Sequence, residues 1–279
     1  MKRIPDTTVA SVLARLAQTP DADTVLLKGA LMLRVWGIPR ARPTMDIDLL
    51  RRGAADSASL TALVERCAAV SDAGDGVVFD PTTILVEPIR DETEYVGTRI
   101  RIQARMDNVR QTVQIDFGVG DAVYPQASTV EYPALLGRDP VRLNAYPVEA
   151  AIAEKFEAMV QLDLRNSRMK YFYDAWTLSQ TLNFDAATLS RAIQTTFERR
   201  QTPIPREPPP GFTAAFHGDT VHQRQWAAFV RRIGVGDLDN KFATVIAGVA
   251  AFLLAPARSA ARNSHEAGQW PPQGPWWLS

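Results

Sequence analysis

Two carboxylates separated by one apolar residue give this sequence its clearest chemistry. Asp46 and Asp48 flank Ile47 in a stretch that alternates charged and apolar side chains. In a β-strand, side chains two residues apart point to the same face, so the carboxylates share one side and Ile47 faces a core. Such a pair suits Mg²⁺, which takes one or two carboxylates and leaves its other positions to water and substrate phosphates. The pattern predicts a metal–nucleotide site, although exposed strand edges carry the same pattern.

The residues before the acidic strand have features of a phosphate-binding segment. An apolar run leads into Lys28 and Gly29, and a short helical pattern follows. Gly29 lets the backbone approach a ligand closely, and amides at the start of a helix can hold phosphate. The segment lacks the G-x-x-x-x-G-K-[ST] spacing of a P-loop. Thr44 precedes the acidic strand, where its hydroxyl either binds phosphate or only shapes the strand entry.

A third carboxylate and a later lysine–aspartate pair are further candidates. Asp116 interrupts an apolar strand pattern, and if that strand lies beside the first one, Asp116 adds a carboxylate over the same cation. Its alternative role is to cap a turn before the glycines that follow. Lys155 and Asp174 lie in helical patterns. Taken alone, they are explained as a solvated lysine and as an i,i+4 partner of Lys170.

The order of these motifs resembles a known family. Lys28-Gly29, a spacer, R-x-[ST]-x-D-x-D, then A-E-K-[LF]-x-A and R-x-K-x-x-x-D are similar to the nucleotidyltransferase signature of AbiEii-type toxins. That family belongs to the DNA polymerase β-like superfamily and includes the MenT toxins. The resemblance extends from Lys28 to Leu178. It departs at Tyr171, where the family usually has an aspartate, and at Ala30, where a second glycine or a serine is commoner.

The resemblance implies a catalytic group for nucleotidyl transfer. Its implied ligands for Mg²⁺ or Mn²⁺ are Asp46, Asp48 and Asp116. Lys155 would contact the phosphates of the NTP substrate, and Asp174 would complete the group by orienting Lys155. All five would be catalytic residues.

Further residues are implied to bind the two substrates. The implied nucleotide-binding residues are Lys28, Gly29, Thr44 and Lys155. Arginines and lysines that would form an RNA track are Arg34, Arg40, Arg42, Arg168 and Lys170, with Arg99, Arg101, Arg105 and Arg165 as further members of the same track. Arginine suits bidentate phosphate recognition, but a GC-rich genome also enriches it.

By the same resemblance, the function is that of a Mg-dependent toxin. It would transfer a nucleoside monophosphate from an NTP to an RNA acceptor, the tRNA 3′ end, and so inhibit translation. Its partners would be that tRNA and a cognate antitoxin, such as an AbiEi-like DNA-binding protein. The alternatives are nucleotidyl transfer to a protein or small molecule, and an inactive scaffold that binds NTP or antitoxin, for which Tyr171 is the only indication.

The elements that must position these residues fall into two halves. We predict an α+β protein in which a polymerase β-like nucleotidyltransferase domain, a mixed sheet with flanking helices, occupies residues 1–145. A helical domain over residues 146–255 would complete the active site, and an irregular tail rich in Trp and Pro would cover residues 256–279. Predicted strands cover 77–87, 98–106 and 111–118, and a loop-rich segment over 119–145 follows them. Predicted helices cover 7–18, 57–70, 168–181, 185–200, 220–233 and 238–254.

Composition limits the environment of the protein. The 279 residues include 31 basic and 31 acidic side chains, so no global charge attracts nucleic acid and any RNA contact must be local. The single Cys67 excludes an internal disulfide and a cysteine zinc site, and its apolar context predicts a buried thiol. The N-terminus lacks an apolar signal core, and the apolar run Phe242–Pro256 is short for a membrane span. We therefore expect a cytoplasmic protein without membrane contact.

Overall fold

The chain forms two compact units. The structure, a computed structural model, describes residues 4–39, 41–71, 75–89, 97–133, 139–238 and 241–278. Each unit buries its own set of apolar side chains. The first consists of Met1–Asp121 and Ala127–Tyr146, and the second of Ala122–Gln126 and Pro147–Ser279.

A seven-stranded mixed sheet forms the first unit. Its strands are β1 (Val25–Lys28), β2 (Asp46–Arg51), β3 (Val77–Ile89), β4 (Gly97–Met106), β5 (Val109–Val119), β6 (Ser128–Tyr132) and β7 (Val141–Ala145). They stand in the order β3-β4-β5-β2-β1-β7-β6. The β2–β5 and β1–β7 pairs are parallel, and the other neighbours are antiparallel.

Helices cover one face of this sheet. The helices of the unit are α1 (Ile4–Leu16), the four-residue α2 (Met32–Val35) and α3 (Ser57–Ala69). The apolar side chains of α1 and α3 form one core with alternate residues of the central strands, such as Ile47, Ile115 and Phe117. Because strand side chains alternate, the acidic residues of β2 and β5 fall on the opposite face. The predicted class, a mixed sheet with flanking helices, is confirmed.

The hairpin between β4 and β5 is tighter than the sequence predicted. The predicted strands end at residue 106 and begin again at residue 111, but Met106 pairs directly with Val109, leaving a two-residue turn. Asp107 has a φ of 51°, the left-handed region that Asp tolerates better than most residues. That conformation closes the turn, so β5 begins two residues earlier than expected.

Two strands lie where the sequence predicted only loops. β6 and β7 are antiparallel to each other, and β7 pairs with β1 at Leu27 and Ala145. Each is five residues long and flanked by prolines, so its alternation is too short to stand out. The pairing with β1 supplies hydrogen bonds that local propensity does not reveal.

The second unit is mainly helical. Its helices are α4 (Val148–Leu162), α5 (Met169–Thr181), α6 (Ala186–Arg199), α7 (Ala214–His217), α8 (Thr220–Ile233) and α9 (Phe242–Ala261). An aromatic core joins them, in which Phe172 lies 5.3 Å from Phe216 and 6.4 Å from Phe242 between ring centroids. Asp185 and Asp219 cap α6 and α8 by accepting backbone N–H bonds.

The last helix and the tail differ from expectation. α9 continues past Pro256 to Ala261, so its 20 residues are long and apolar enough to cross a membrane by length and composition. Half of the helix is buried: it covers large side chains such as Phe252 and Leu253 and exposes small ones such as Ala247 and Ala251, the pattern of a core helix.

The tail beyond α9 is not irregular throughout. Its strands β9 (Gly268–Trp270) and β10 (Trp277–Leu278) form a three-stranded sheet with β8 (Phe184–Asp185). The Trp270 and Trp276 side chains donate hydrogen bonds to the carbonyls of Ser179 and Phe252. The tail therefore docks onto the second unit.

Candidate active site

The turn after β1 places Gly29 against the acidic strand. Lys28 ends β1 and pairs with Asp48 of β2, and Gly29 follows with a φ of 71°. A Cβ added at Gly29 would lie 1.9 Å from Asp48 Oδ2, so any larger residue would displace that carboxylate. Only glycine meets both demands, the positive φ and the close approach. The helix expected after the turn is a 3₁₀ turn, Gly29–Leu31, followed by the short α2.

Asp46 and Asp48 share one face of β2, as their spacing requires. Ile47 between them is fully buried on the other face, whereas Asp46 is exposed and Asp48 half-buried. The parallel neighbour β5 brings Asp116 to the position paired with Asp48, and Gln114 to the position paired with Asp46. Three carboxylates therefore lie on one face of two adjacent strands.

Asp116 is engaged by an arginine from the next strand. Arg99 of β4 donates from Nε and Nη2 to the two oxygens of Asp116, at 2.8 and 2.7 Å. Gln114 Nε2 donates to Asp46 at 3.1 Å and to Asp116 at 3.4 Å. The hydrogen bonds to Asp116 raise the pKa of Arg99 above its ordinary value, so this guanidinium stays charged.

The carboxylates of β2 and β5 are the candidate ligands of a divalent ion. Among the described residues, no group of three or more His, Cys, Asp or Glu side chains is arranged to hold a metal. Asp46 and Asp48 offer the two carboxylates that suffice for Mg²⁺ when substrate phosphates supply other ligands. The residues thus fit one ion, and the three-carboxylate site stays a prediction.

Lys28 is held by two groups of the first unit. Its Nζ lies 2.7 Å from Asp121 Oδ2 and 4.8 Å from the centroid of the Tyr146 ring. Both side chains of the ion pair are largely buried, so the lysine head is fixed at the end of β1. Lys28 is the residue of β1 that pairs with Asp48 of β2.

The segment before β2 holds Thr44 at the entry of the strand. Thr44 Oγ1 accepts a 3.3 Å hydrogen bond from the backbone N–H of Asp46, which shapes the strand entry. Arg34 on α2 and Arg42 are half-buried. Arg40 lies outside the described residues.

In the second unit, α4 and α5 bring Lys155 and Asp174 together. Lys155 Nζ lies 3.4 Å from Asp174 Oδ2, and the Asp174 side chain is only 1% exposed. A buried carboxylate requires such a counter-ion, and in return it fixes the position of the ammonium group.

The ring of Tyr171 gathers three cations of the second unit. The charged groups of Lys155, Arg168 and Lys170 lie 5.3, 5.4 and 5.6 Å from its centroid. Arg168 Nη1 also donates to the Tyr171 hydroxyl at 3.0 Å. The ring face attracts cations, so a neutral residue organises the positive charge here.

Comparison with known proteins decides the family. The family model described as nucleotidyl transferase AbiEii toxin, Type IV TA system, matches residues 11–248. This chain belongs to the AbiEii toxin family. As an AbiEii protein it is a nucleotidyltransferase of a type IV toxin–antitoxin system, and the family implies an antitoxin partner. The resemblance seen in its motifs and the predicted enzyme class are confirmed.

Solved structures resemble this AbiEii protein over most of its length. The crystal structure of JHP933 from Helicobacter pylori matches with a TM-score of 0.51 and 12% identity, covering 93% of this chain and 91% of that chain. MenT4, a nucleotidyltransferase toxin from Mycobacterium tuberculosis H37Rv, matches with a TM-score of 0.49 and 14% identity over 92% of each chain. A search of curated proteins found no match.

Sequence reasoning missed two contacts of this AbiEii site and the role of one residue. It assigned Arg99 to an RNA track, whereas the observed register of the β4–β5 hairpin pairs Arg99 with Asp116. It overlooked Asp121, which no motif marks, as the partner of Lys28. It treated Tyr171 only as a departure from the family motif, whereas the ring contacts three cations.

Proposed function

We propose that this AbiEii-family enzyme transfers a nucleoside monophosphate from an NTP to the 3′ end of a tRNA and thereby inhibits translation. The supporting observation is the face of the sheet on which Asp46 and Asp48 lie beside the Gly29 turn and the fixed Lys28. Carboxylates, a close backbone and a lysine are what a metal–triphosphate complex needs. We place the enzyme in the cytoplasm, where tRNA and NTPs are available.

Asp46 and Asp48 would hold a divalent ion, Mg²⁺ or Mn²⁺. When bound, that ion neutralises charge on the triphosphate and fixes its orientation. Asp46 is the exposed member and faces incoming substrate, whereas Asp48 is fixed against Gly29. Gly29 leaves room for that carboxylate, because a Cβ at this position would lie 1.9 Å from Asp48 Oδ2.

The reaction is a displacement at the α-phosphorus of the NTP. The acceptor hydroxyl oxygen forms a bond to that phosphorus, and the bond from phosphorus to the oxygen bridging to the β-phosphate breaks. Pyrophosphate leaves with that electron pair, and the hydroxyl proton passes to water. Lys155 compensates the negative charge on the leaving pyrophosphate, and Asp174 holds its ammonium group in position.

Basic side chains would bind the phosphates of the RNA. We propose Arg34 and Arg42 of the first unit and Arg168 and Lys170 of the second as contacts, together with Arg40. Phosphate contacts position an RNA without reading its sequence, which suits an enzyme that acts on a shared 3′ end. The cognate antitoxin would be an AbiEi-like DNA-binding protein.

A labelled-nucleotide assay tests this function. The purified protein is incubated with total tRNA, Mg²⁺ and each α-³²P-labelled NTP in turn, and the products are separated by gel. We expect label on tRNA with the wild type and a loss of at least about 100-fold with Asp46→Ala or Asp48→Ala, because each removes a ligand of the ion. The matched control is Glu131→Ala, an exposed acid on β6.

The outcomes separate the competing functions. Label on protein or on a small molecule instead of tRNA would show that the acceptor is not tRNA, while nucleotidyl transfer itself would stand. Wild-type protein that labels nothing with any NTP, while circular dichroism shows it folded, would contradict the proposal. Inhibition of translation is measured in a cell-free extract, where Asp46→Ala should be harmless.

A further inference from the structure

A row of charged residues crosses five strands of the sheet. Lys28, Asp48, Asp116, Arg99 and Glu87 occupy successively paired positions on β1, β2, β5, β4 and β3. In a sheet, paired positions lie on the same face about 5 Å apart between neighbouring strands. The row therefore brings two cations and three carboxylates to one line across the proposed metal site.

Arg99 is committed to Asp116 within this row. Its other neighbour, Glu87, is bound by Arg101 at 2.7 Å, and both side chains of that pair are partly exposed. The Arg99–Asp116 contact is less exposed and bidentate, with both carboxylate oxygens used. Bidentate guanidinium–carboxylate pairs are the strongest and most directional of such contacts.

This arrangement conflicts with a metal ion on Asp116. A divalent cation there would have to break both hydrogen bonds and stand beside a guanidinium that stays charged at every accessible pH. Like charges in a partly buried site repel strongly because solvent screens them less. Asp46, by contrast, is exposed and accepts a neutral amide hydrogen bond from Gln114.

We propose that Arg99 permanently fills the cation position at Asp116, so that this enzyme binds one divalent ion through Asp46 and Asp48 and uses the guanidinium in place of a second ion. The inference rests on the proposed metal-dependent function. Asp116 is then a positioning residue, which holds Arg99 where a phosphoryl group would meet its outer edge. A guanidinium supplies positive charge to phosphate oxygens without proton exchange.

Direct measurement of metal binding tests the proposal without any transfer reaction. Mn²⁺ alone is titrated into the full-length protein, and the free ion is followed by electron paramagnetic resonance. We expect one Mn²⁺ per wild-type chain and a loss of affinity of at least about tenfold in Asp48→Asn, because a ligand is removed. Asp116→Asn should lower the affinity by at most about fivefold, less than Asp48→Asn does, because it removes a neighbouring charge but no ligand. Arg99→Gln should raise the Mn²⁺ affinity at least about fivefold or admit a second ion, because Asp116 then lacks its arginine.

Two controls separate the local effect from charge and folding. Arg110→Gln removes the same charge from the exposed end of β5, and it should leave Mn²⁺ affinity unchanged. Arg99→Lys keeps the charge without the bidentate contact, and it should fall between wild type and Arg99→Gln. Thermal denaturation identifies any variant that fails to fold, and the comparison then uses Arg99→Lys and Asp116→Asn.

The result that overturns the proposal is specific. If Asp116→Asn weakens Mn²⁺ binding as much as Asp48→Asn does, and Arg99→Gln binds no more tightly, then Asp116 is a metal ligand and Arg99 yields to the ion. The transfer function would survive that result. If Asp46→Asn and Asp48→Asn leave Mn²⁺ binding unchanged, the metal-dependent function fails as well.

Discussion

At the scale of single residues, Tyr171 shows how a neutral side chain can replace a charged one. The motif that the chain resembles has an aspartate at this position, and an aspartate would pair with one of the nearby cations. The tyrosine ring instead meets Lys155, Arg168 and Lys170 at once, and its hydroxyl accepts from Arg168. Two contacts therefore hold the Lys155 ammonium group, the ion pair with Asp174 and the cation–π contact with the Tyr171 ring.

The two parts of Tyr171 can be separated by substitution. Tyr171→Phe keeps the ring and loses the hydroxyl bond, so the affinity for NTP should fall by less than about threefold. Tyr171→Ala loses contacts worth about 0.5–1 kcal/mol each, and the affinity should fall about tenfold. Fluorescence anisotropy of a labelled NTP measures both variants. Equal losses in the two would show that the hydroxyl, and not the ring, is what matters.

At the scale of elements, a buried ion pair ties α1 to the start of β3. Arg15 donates to Asp75, to Ser11 and to the carbonyls of Val70 and Val77. Burial opposes ionisation of Asp75, but hydrogen bonds from Arg15, Ser11 and the Val77 backbone outweigh it and hold the pKa of Asp75 below its ordinary value. Both side chains of the ion pair are only 4% exposed.

This pair should make the first unit sensitive to acid. Because the pKa of Asp75 is depressed in the folded state, its stabilisation is present above about pH 4 and is lost as the pH falls through the folded-state pKa. Asp75→Asn should lower the free energy of unfolding by about 3 kcal/mol at pH 7, since it leaves a buried arginine without its charge partner.

Urea denaturation at pH 7 and at successively lower pH measures this difference. The gap between Asp75→Asn and wild type should narrow as the solution is acidified below pH 4. Asp139→Asn, an exposed aspartate, serves as the control and should follow the wild type throughout. A gap that stays constant with pH would show that packing, rather than the charge of Asp75, provides the stability.

The elements differ in how far the sequence could predict them. β2, β4 and β5 were recognisable because one face is apolar and the other charged, so alternation alone marks them. Cys67 was expected to be buried, and burial does raise the pKa of its thiol to about 12. β6, β7 and the tail strands escaped notice because short strands gain stability only from partners distant in sequence. The Arg99–Asp116 contact depends on strand register, which single-strand patterns do not contain.

At the scale of the whole molecule, the numbers of positive and negative side chains are equal. Equal numbers of basic and acidic residues, 31 of each, leave no net attraction for a polyanion. The family and the fold class could be recognised from the order of a few motifs, since those motifs span both halves of the chain. The surface that meets RNA could not be identified in this way, because it depends on where the arginines come together.

Salt dependence of tRNA binding distinguishes a local RNA contact from a net-charge effect. In the absence of NTP, the logarithm of the binding constant should fall linearly with the logarithm of salt concentration, because each phosphate contact releases counterions. Arg168→Gln with Lys170→Gln should reduce the slope by about 1 to 2, as expected for up to two lost phosphate contacts. Arg224→Gln with Lys241→Gln removes the same charge from exposed positions of the same unit and should leave the slope unchanged. Equal reductions by the two pairs would mean that the tRNA responds to overall charge and that Arg168 and Lys170 form no specific part of its path.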